Sequence, residues 1–139
     1  MNYIRIIPVL YFKFGKLVKS FQFKNHHKIG SIITQTNRFK EWDIDEIVLI
    51  DITHQTVTDK KKYIKGSGTH FFDFMPKIAK NFFTPISLGG GIKSINDIRN
   101  YLRVGADRVI LGSGIFEDPN LISDASKTFG SQAIIVSVD

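Results

Sequence analysis

Two glycine-rich turns, two strand-end carboxylates and one lysine are the residues of this sequence best equipped for chemistry. Leu88-Gly89-Gly90-Gly91-Ile92 closes an apolar run and precedes a helical pattern. Glycines there let the backbone approach a ligand closely, and N–H groups at a helix entrance suit a phosphate. Leu111-Gly112-Ser113-Gly114 repeats the arrangement one unit later, with the Ser113 hydroxyl as a further donor. One such turn is compatible with tight-turn geometry alone. Two at equal places in consecutive units favour a shared phosphate pocket over coincidence. Neither carries the Lys-Ser/Thr of a P-loop or the GxGxxG spacing of a dinucleotide site.

Asp51 follows the run Ile47-Val-Leu-Ile, and Asp139 follows Ile134-Ile-Val-Ser-Val. Carboxylates at strand C-termini would face the open mouth of a barrel, where acids and bases act. The plainer alternative makes Asp51 a turn cap and Asp139 a terminal residue. Lys19, placed after the first strand, could bind an anionic ligand or simply face solvent. His26, His27, His54 and His70 show no HExxH or other metal spacing, and no Ser-His-Asp arrangement can be argued. With no cysteine there is no disulfide, thiolate metal site or cysteine nucleophile. Neither a metal nor a cofactor is expected.

These residues need a scaffold, and the pattern supplies one. Nearly continuous β-branched runs at residues 4–10, 46–50, 85–88, 108–111 and 133–138 predict strands covered on both faces. Ser94 followed by Asp97 resembles a capping box for a helix that buries Ile95, Ile98 and Leu102 and ends at Gly105. Asp118 is expected to cap the next helix, with Pro119 in its first position; Leu121, Ile122 and Ala125 form its stripe and Gly130 follows its end. Ile32, Ile33, Phe39 and Trp42 predict an amphipathic helix over residues 30–42. A further helix over residues 74–82 is acceptable if Asp73 caps it and Pro76 lies in its first turn. Residues 53–70, aperiodic and carrying Gly66, Ser67 and Gly68, read as a long polar loop or a lid.

The order β-α-β-α-β-α-β-α-β calls for parallel strands joined by right-handed crossovers. It fits an open doubly wound sheet or part of a (βα)8 TIM barrel. A barrel needs roughly 250 residues, and the chain has 139. The expectation is therefore a single partial barrel domain over residues 1–139: about four βα units plus a fifth strand, truncated after strand five.

Hydrophobic residues at 42% and charged residues at 23% exclude a disordered chain. No stretch approaches the roughly 18 uninterrupted apolar residues of a membrane span, and the N-terminus lacks a signal-peptide pattern. The expected setting is the cytoplasm, with no membrane partner. The net charge of +6 invites a nucleic-acid reading, but the densest cluster, Lys60, Lys61, Lys62 and Lys65 around Tyr63, reads more simply as a solvated loop. No nucleic-acid partner is expected.

Taken together, Arg5-Ile-Ile-Pro-Val-Leu, Asp45-Glu-Ile-Val-Leu-Ile-Asp-Ile-Thr53, Gly89-Gly-Gly-Ile92, Gly105-Ala-Asp-Arg-Val109 and Phe129-Gly-Ser-Gln132 with Val138-Asp139 resemble the cyclase subunit of imidazole glycerol phosphate synthase over the whole length. The sister isomerase of histidine biosynthesis shares the barrel and the phosphate turns. The Asp-Ile-Thr and Phe-Gly-Ser-Gln signatures favour the cyclase. The resemblance implies the N-terminal half of a (βα)8 barrel that takes ammonia from a glutaminase subunit and acts on a phosphorylated small molecule. It makes Asp139 the second catalytic aspartate, Lys19 a substrate-contacting loop lysine and Asp51 a mouth carboxylate. Gly91, Gly112 and Ser113 would hold one phosphate, although the family usually has Asn-Thr at the last two positions. Arg5, Glu46 and Arg108 would form the charged ammonia gate at the bottom of the barrel, where the family usually has lysine in place of Arg108.

The departure that matters is Tyr11. The family pattern Pro-Cys-Leu-Asp places its first catalytic aspartate where this chain reads Pro8-Val-Leu-Tyr11. A phenol, ordinarily titrating near pH 10, is no substitute for a carboxylate base near neutrality. Loss of a positioned acid or base typically costs roughly 100 to 10,000-fold in rate. Cyclase-like paralogues of surface-sugar biosynthesis lack the same aspartate, and the resemblance is greatest to them. The implied function is cyclase-type use of glutaminase-derived ammonia, in histidine biosynthesis or in a paralogous amidotransferase system. The alternative is a non-catalytic phosphate-binding half-barrel or scaffold module. The isolated half-barrel should be inactive, and its open sheet edges should favour self-association.

Overall fold

The computed structural model describes residues 3–22, 25–53 and 71–138. A seven-stranded sheet runs through the molecule in the order β3-β2-β1-β4-β5-β6-β7. Its strands are β1 (Val9–Lys13), β2 (Lys16–Phe21), β3 (Asn25–Ser31), β4 (Ile47–Asp51), β5 (Ile86–Gly89), β6 (Arg108–Leu111) and β7 (Ile134–Val136). The helices are α1 (Ile32–Glu41), α2 (Phe71–Asn81), α3 (Ile95–Arg103), the single turn α4 (Gly114–Glu117) and α5 (Leu121–Phe129), with a 3-10 turn at Ser131–Ala133. Strands β1, β4, β5, β6 and β7 are parallel and adjacent in chain order.

The register shows where the helices lie. Leu49 pairs with Leu88, Leu88 with Val109 and Val109 with Ile134. These residues share one core with Phe12, Ile47, Ile86 and Leu111 and with the helical residues Phe39, Met75, Ile78, Ile98, Leu121 and Ala125. Successive strand residues point to opposite faces, so all the helices described pack on one side of the sheet. The opposite side carries Val9, Tyr11, Val48, Ile50, Ser87, Arg108, Ile110 and Ile135, and Val9 and Tyr11 are 49% and 41% exposed. A doubly wound sheet would have helices on both sides; a single helical layer over parallel strands in chain order is the first half of a (βα)8 barrel. The expectation of strands covered on both faces is thereby corrected. The second face is a barrel lumen, which only opposing strands can cover.

The first strand also differs from its expected position. Residues 6–8 run alongside β4, with Ile6 O accepting from Asp45 N and Pro8 O from Val48 N, but β1 itself extends to Lys13. There the chain reverses through Phe14 and Gly15, both with positive φ (48° and 71°), the geometry of a tight hairpin turn. Strands β2 and β3 then add to the sheet antiparallel. Lys19 therefore lies within β2 rather than on a loop after the first strand.

The helix ends are mixed in outcome. Ser94 caps α3 as its box predicts, accepting from Asp97 N at 3.1 Å, and Gly105 and Gly130 take positive φ just beyond their helices. Helix α1 buries Ile32, Thr36 and Phe39, while Ile33 is 41% and Trp42 64% exposed. Helix α2 begins earlier than expected, so Asp73 lies inside it and Pro76 is its sixth residue. Pro76 cannot donate to the Phe72 carbonyl, and that rung of the helix is absent. Asp118 does not cap α5 directly. Its Oδ1 accepts from Asn120 N at 3.0 Å, closing the turn between α4 and α5, and Asn120 is the residue before the helix.

Candidate functional site

At the N-terminal end of the strands, on the lumen side, alternation brings four polar side chains together. Glu46 stands two residues before Val48, which pairs with Ser87, which pairs with Arg108. Glu46 Oε2 accepts from Arg5 Nη2 at 2.9 Å and from Arg108 Nη1 at 2.8 Å, and Oε1 accepts from Ser87 Oγ at 2.5 Å. The carboxylate is 3% exposed and Ser87 fully buried, whereas the two arginines reach solvent. Burial pushes the Glu46 carboxyl up, but the Ser87 hydroxyl and the guanidinium groups of Arg108 and Arg5 outweigh it and hold the group below its ordinary value. The result is a buried anion with a cation on either side, at the base of the lumen.

Asp45 braces the same end. It accepts from the Tyr3 hydroxyl and from Ile6 N, the latter at 2.6 Å. The Tyr3 bond, then the Ile6 bond, hold the Asp45 carboxyl below its usual range, and the Tyr3 phenol is raised in return. Asp107 Oδ2 accepts from Ile86 N at 2.8 Å, which locks the β5 and β6 entrances in register beside Arg108.

At the opposite end the two glycine turns meet. A methyl group on Gly114 would lie 2.2 Å from Ile92 O, and one on Gly90 (φ +115°) 2.1 Å from Asp51 O. Only glycine permits these approaches. The Tyr101 hydroxyl of α3 donates to Gly90 O at 2.8 Å, and burial, with the charges of Asp51 and Asp97, drives its phenol well above its ordinary value. Gly91 has φ +67°. Gly112 faces open space, since nothing lies within 4 Å of its would-be Cβ, and the Ser113 hydroxyl makes no capping bond to α4. Gly91, Gly112 and Ser113 are thus brought to one rim.

Asp51 is not a mouth carboxylate. It pairs in register with Phe12, whose ring packs edge-on against Phe74 of α2. Asp51 therefore faces the helical layer, and it is 3% exposed. Its Oδ1 accepts from Thr53 N at 2.7 Å, and Thr53 Oγ1 accepts from Phe14 N at 3.0 Å. Strand alternation decides this: lumen residues fall at even positions of β4, and 51 is odd. Its observed bonds are those of the turn cap.

Tyr11 and Lys19 both line a cavity of about 400 Å³ beside the β1–β2 hairpin. Asp139, His54, His70 and the lysine cluster at 60–65 lie outside the described residues. Among the described residues, no three His, Cys, Asp or Glu side chains gather as metal ligands, and no helix is long and apolar enough to cross a membrane. Sequence reasoning missed Ser87 and Tyr101. Ser87 was signalled by a hydroxyl within the otherwise apolar run 86–88, but Tyr101 by nothing beyond its place on the α3 stripe.

The histidine biosynthesis protein family matches residues 5–139. The chain is 40% identical over 136 residues to a protein of Vibrio vulnificus (strain YJ016) provisionally named imidazole glycerol phosphate synthase subunit hisF2, covering 98% of this chain and 47% of that protein. It is 38% identical over 135 residues to imidazole glycerol phosphate synthase subunit HisF of Oleidesulfovibrio alaskensis, covering 97% and 49%. A hisF2 protein of Campylobacter jejuni is 37% identical over 135 residues, covering 97% and 50%. The chain spans about half the length of the curated relatives it matches. With its single helical layer over five parallel strands and glycine turns at their C-terminal ends, the chain belongs to the histidine biosynthesis protein family.

Proposed function

We propose that this chain is the N-terminal half of a cyclase-type barrel that handles ammonia released by a glutaminase subunit. The observation that carries the reading is the Glu46 cluster. A buried carboxylate held by Arg5, Arg108 and Ser87 at the base of the lumen suits a gate for a small polar molecule. Its arginines reach solvent while the glutamate is buried. Ammonia entering there would travel along the lumen toward the Gly91, Gly112 and Ser113 rim, where the open space above Gly112 suits a phosphate of the acceptor. Asp139, which follows β7 in the sequence and lies outside the described residues, is the carboxylate to which the family resemblance gives the acid–base role. The expected setting is the cytoplasm.

Tyr11 favours a particular version of this reading. With a phenol in place of the first carboxylate, the imidazole-forming cyclization loses one of its two acid–base groups. A paralogous system, in which ammonia passes to a different acceptor such as a surface sugar, fits better than the histidine pathway. The remaining alternative is a phosphate-binding half-barrel without chemistry, and its exposed lumen face, with Val9 and Tyr11 half open, would favour self-association.

The test is co-expression of the chain with a glutaminase subunit. Glutamine hydrolysis stimulated by the complex, and changed by Glu46→Ala, supports the gate; no association with a glutaminase overturns it. Rescue of a histidine auxotroph by the full-length gene would point to the histidine pathway rather than the paralogue.

A further inference from the structure

The peptide between Gly90 and Gly91 has a glycine on either side, with φ +115° and +67°. With no Cβ at either end, rotation of that peptide about its long axis meets little intrinsic steric resistance. Its two edges are chemically opposite: the Gly90 carbonyl oxygen repels an anion, and the Gly91 N–H attracts one. Which edge fronts the rim depends on what holds the peptide.

One side chain holds it from behind. Tyr101 lies on α3, the helix into which the turn leads, and reaches back 11 residues to donate its hydroxyl to Gly90 O at 2.8 Å. The residue is 4% exposed. Its ring rests against Phe72 of α2, with centroids 5.5 Å apart and planes tilted by 53°. Burial disfavours the phenolate and so keeps the hydroxyl a donor. The C=O and N–H of a trans peptide point to opposite sides. A carbonyl drawn toward the helical layer therefore turns the Gly91 N–H away from it. Among the described residues, that N–H has no acceptor in the chain, so it is left for a ligand.

We infer that Tyr101 is a positioning residue for the rim: by holding Gly90 O it fixes the Gly90–Gly91 peptide with its N–H, and not its carbonyl oxygen, toward a bound phosphate. The inference rests on the phosphate reading of the glycine turns. It gives the buried tyrosine of α3 a part in binding although its hydroxyl is spent on the backbone and acts only through the peptide it holds.

The test is a ¹H–¹⁵N NMR titration of the chain with inorganic phosphate at constant ionic strength. In the parent, the amides of Gly91 and Ser113 should shift saturably. Tyr101→Phe keeps the ring and loses only the tie. It should bind about fivefold more weakly, the population shift that one neutral hydrogen bond supplies. The phosphate-induced shift at Gly91 should also shrink relative to that at Ser113, which a general loss of stability would not cause. Ser94→Ala weakens the same helix at its cap, leaves Tyr101 in place and should bind like the parent. Linkage supplies a measurement that needs no variant: phosphate should slow solvent exchange of the Tyr101 hydroxyl proton by a comparable factor.

Parent-like binding by a folded Tyr101→Phe variant, equal weakening by Ser94→Ala, or hydroxyl exchange indifferent to phosphate overturns the role of Tyr101 and leaves phosphate at the rim. No saturable shift at Gly91 and Ser113 in the parent overturns phosphate binding at the rim and the role together. The ammonia gate is judged separately by the glutaminase assay.

Discussion

Arg5 and Arg108, 103 positions apart in the chain, donate to the same oxygen, Oε2 of Glu46, from 2.9 and 2.8 Å. The carboxylate is nearly inaccessible while the arginines are 47% and 37% exposed. Removing the anion therefore leaves two cations that water can still reach, which limits the penalty. Removing one partner of a fully buried pair costs roughly 3–5 kcal/mol. Glu46→Gln keeps the shape and an acceptor for Ser87, so a loss of about 1–3 kcal/mol is expected. Urea denaturation of parent and variant measures it, and equal midpoints would show that the cluster contributes nothing to stability.

The same carboxylate gives a pH dependence of known sign. Its proton affinity is lower in the folded chain than in the unfolded one, because the hydrogen bonds to Ser87, Arg108 and Arg5 outweigh burial. Its stabilisation is complete above the ordinary glutamate value of about 4.3. It is lost as pH falls through the lower folded value, where the unfolded state takes up the proton first. Unfolding free energies measured from pH 7 down to about pH 2.5 should show the gap between parent and Glu46→Gln narrowing only in the acid part of that range. A gap that stays constant to the acid limit would contradict the assignment.

The legible parts of this fold are those where local and global requirements coincide. The run Ile47-Val-Leu-Ile is apolar because one of its faces meets helices and the other a lumen, and it was readable as a buried strand without knowing which face was which. The hairpin was not readable. Its turn uses Phe14 at φ 48°, where Asn or Gly would have announced it, and a tertiary bond from Phe14 N to Thr53 Oγ1 holds the turn. Strand β3, Asn-His-His-Lys-Ile-Gly-Ser, is too polar to signal an edge strand. At the site, the Arg5, Glu46 and Arg108 grouping came from family resemblance, and alternation through Val48 and Ser87 supplies its physical reason. Asp51 was misplaced because a strand-end position does not say which face its side chain takes.

Helix α3 offers a test of a purely local element. Ser94 Oγ accepts from Asp97 N at 3.1 Å and donates to Asp97 Oδ2 at 2.8 Å, and Lys93 N donates to the same carboxylate oxygen at 3.1 Å. Ser94→Ala frees a helix donor and leaves the carboxylate one bond fewer. The expected loss is about 1 kcal/mol, read as a lowered thermal midpoint with unchanged phosphate binding at the Gly91 and Ser113 amides. A change in binding without a change in stability would mean that Ser94 acts at the rim and not as a cap.

The chain by itself should not turn over ammonia. Its five parallel strands supply one side of a lumen whose other side an eight-stranded barrel would provide, and Tyr11 stands where the family pattern has a carboxylate. Incubation of the purified 139 residues with ammonium and the cyclase substrate should release no imidazole product. Measurable turnover would require a closed site from self-association, detectable as a rate that rises faster than protein concentration.

Two glycines of the phosphate rim separate folding from binding. Gly90 has φ +115°, and a methyl there would meet the Asp51 backbone at 2.1 Å, while Gly112 has nothing within 4 Å. Gly90→Ala combines backbone strain with a main-chain clash that no side-chain rotation relieves, and roughly 2–5 kcal/mol of destabilisation is expected. Gly112→Ala should fold within about 0.5 kcal/mol of the parent, as surface substitutions away from packed features do. Its methyl would nevertheless occupy the space assigned to a phosphate. Phosphate titration followed at the Gly91 and Ser113 amides should then show weakened binding in a variant of unchanged stability. Parent-like binding by Gly112→Ala would move the phosphate away from this rim, because no ligand of that size fits over Gly112 without touching the added carbon.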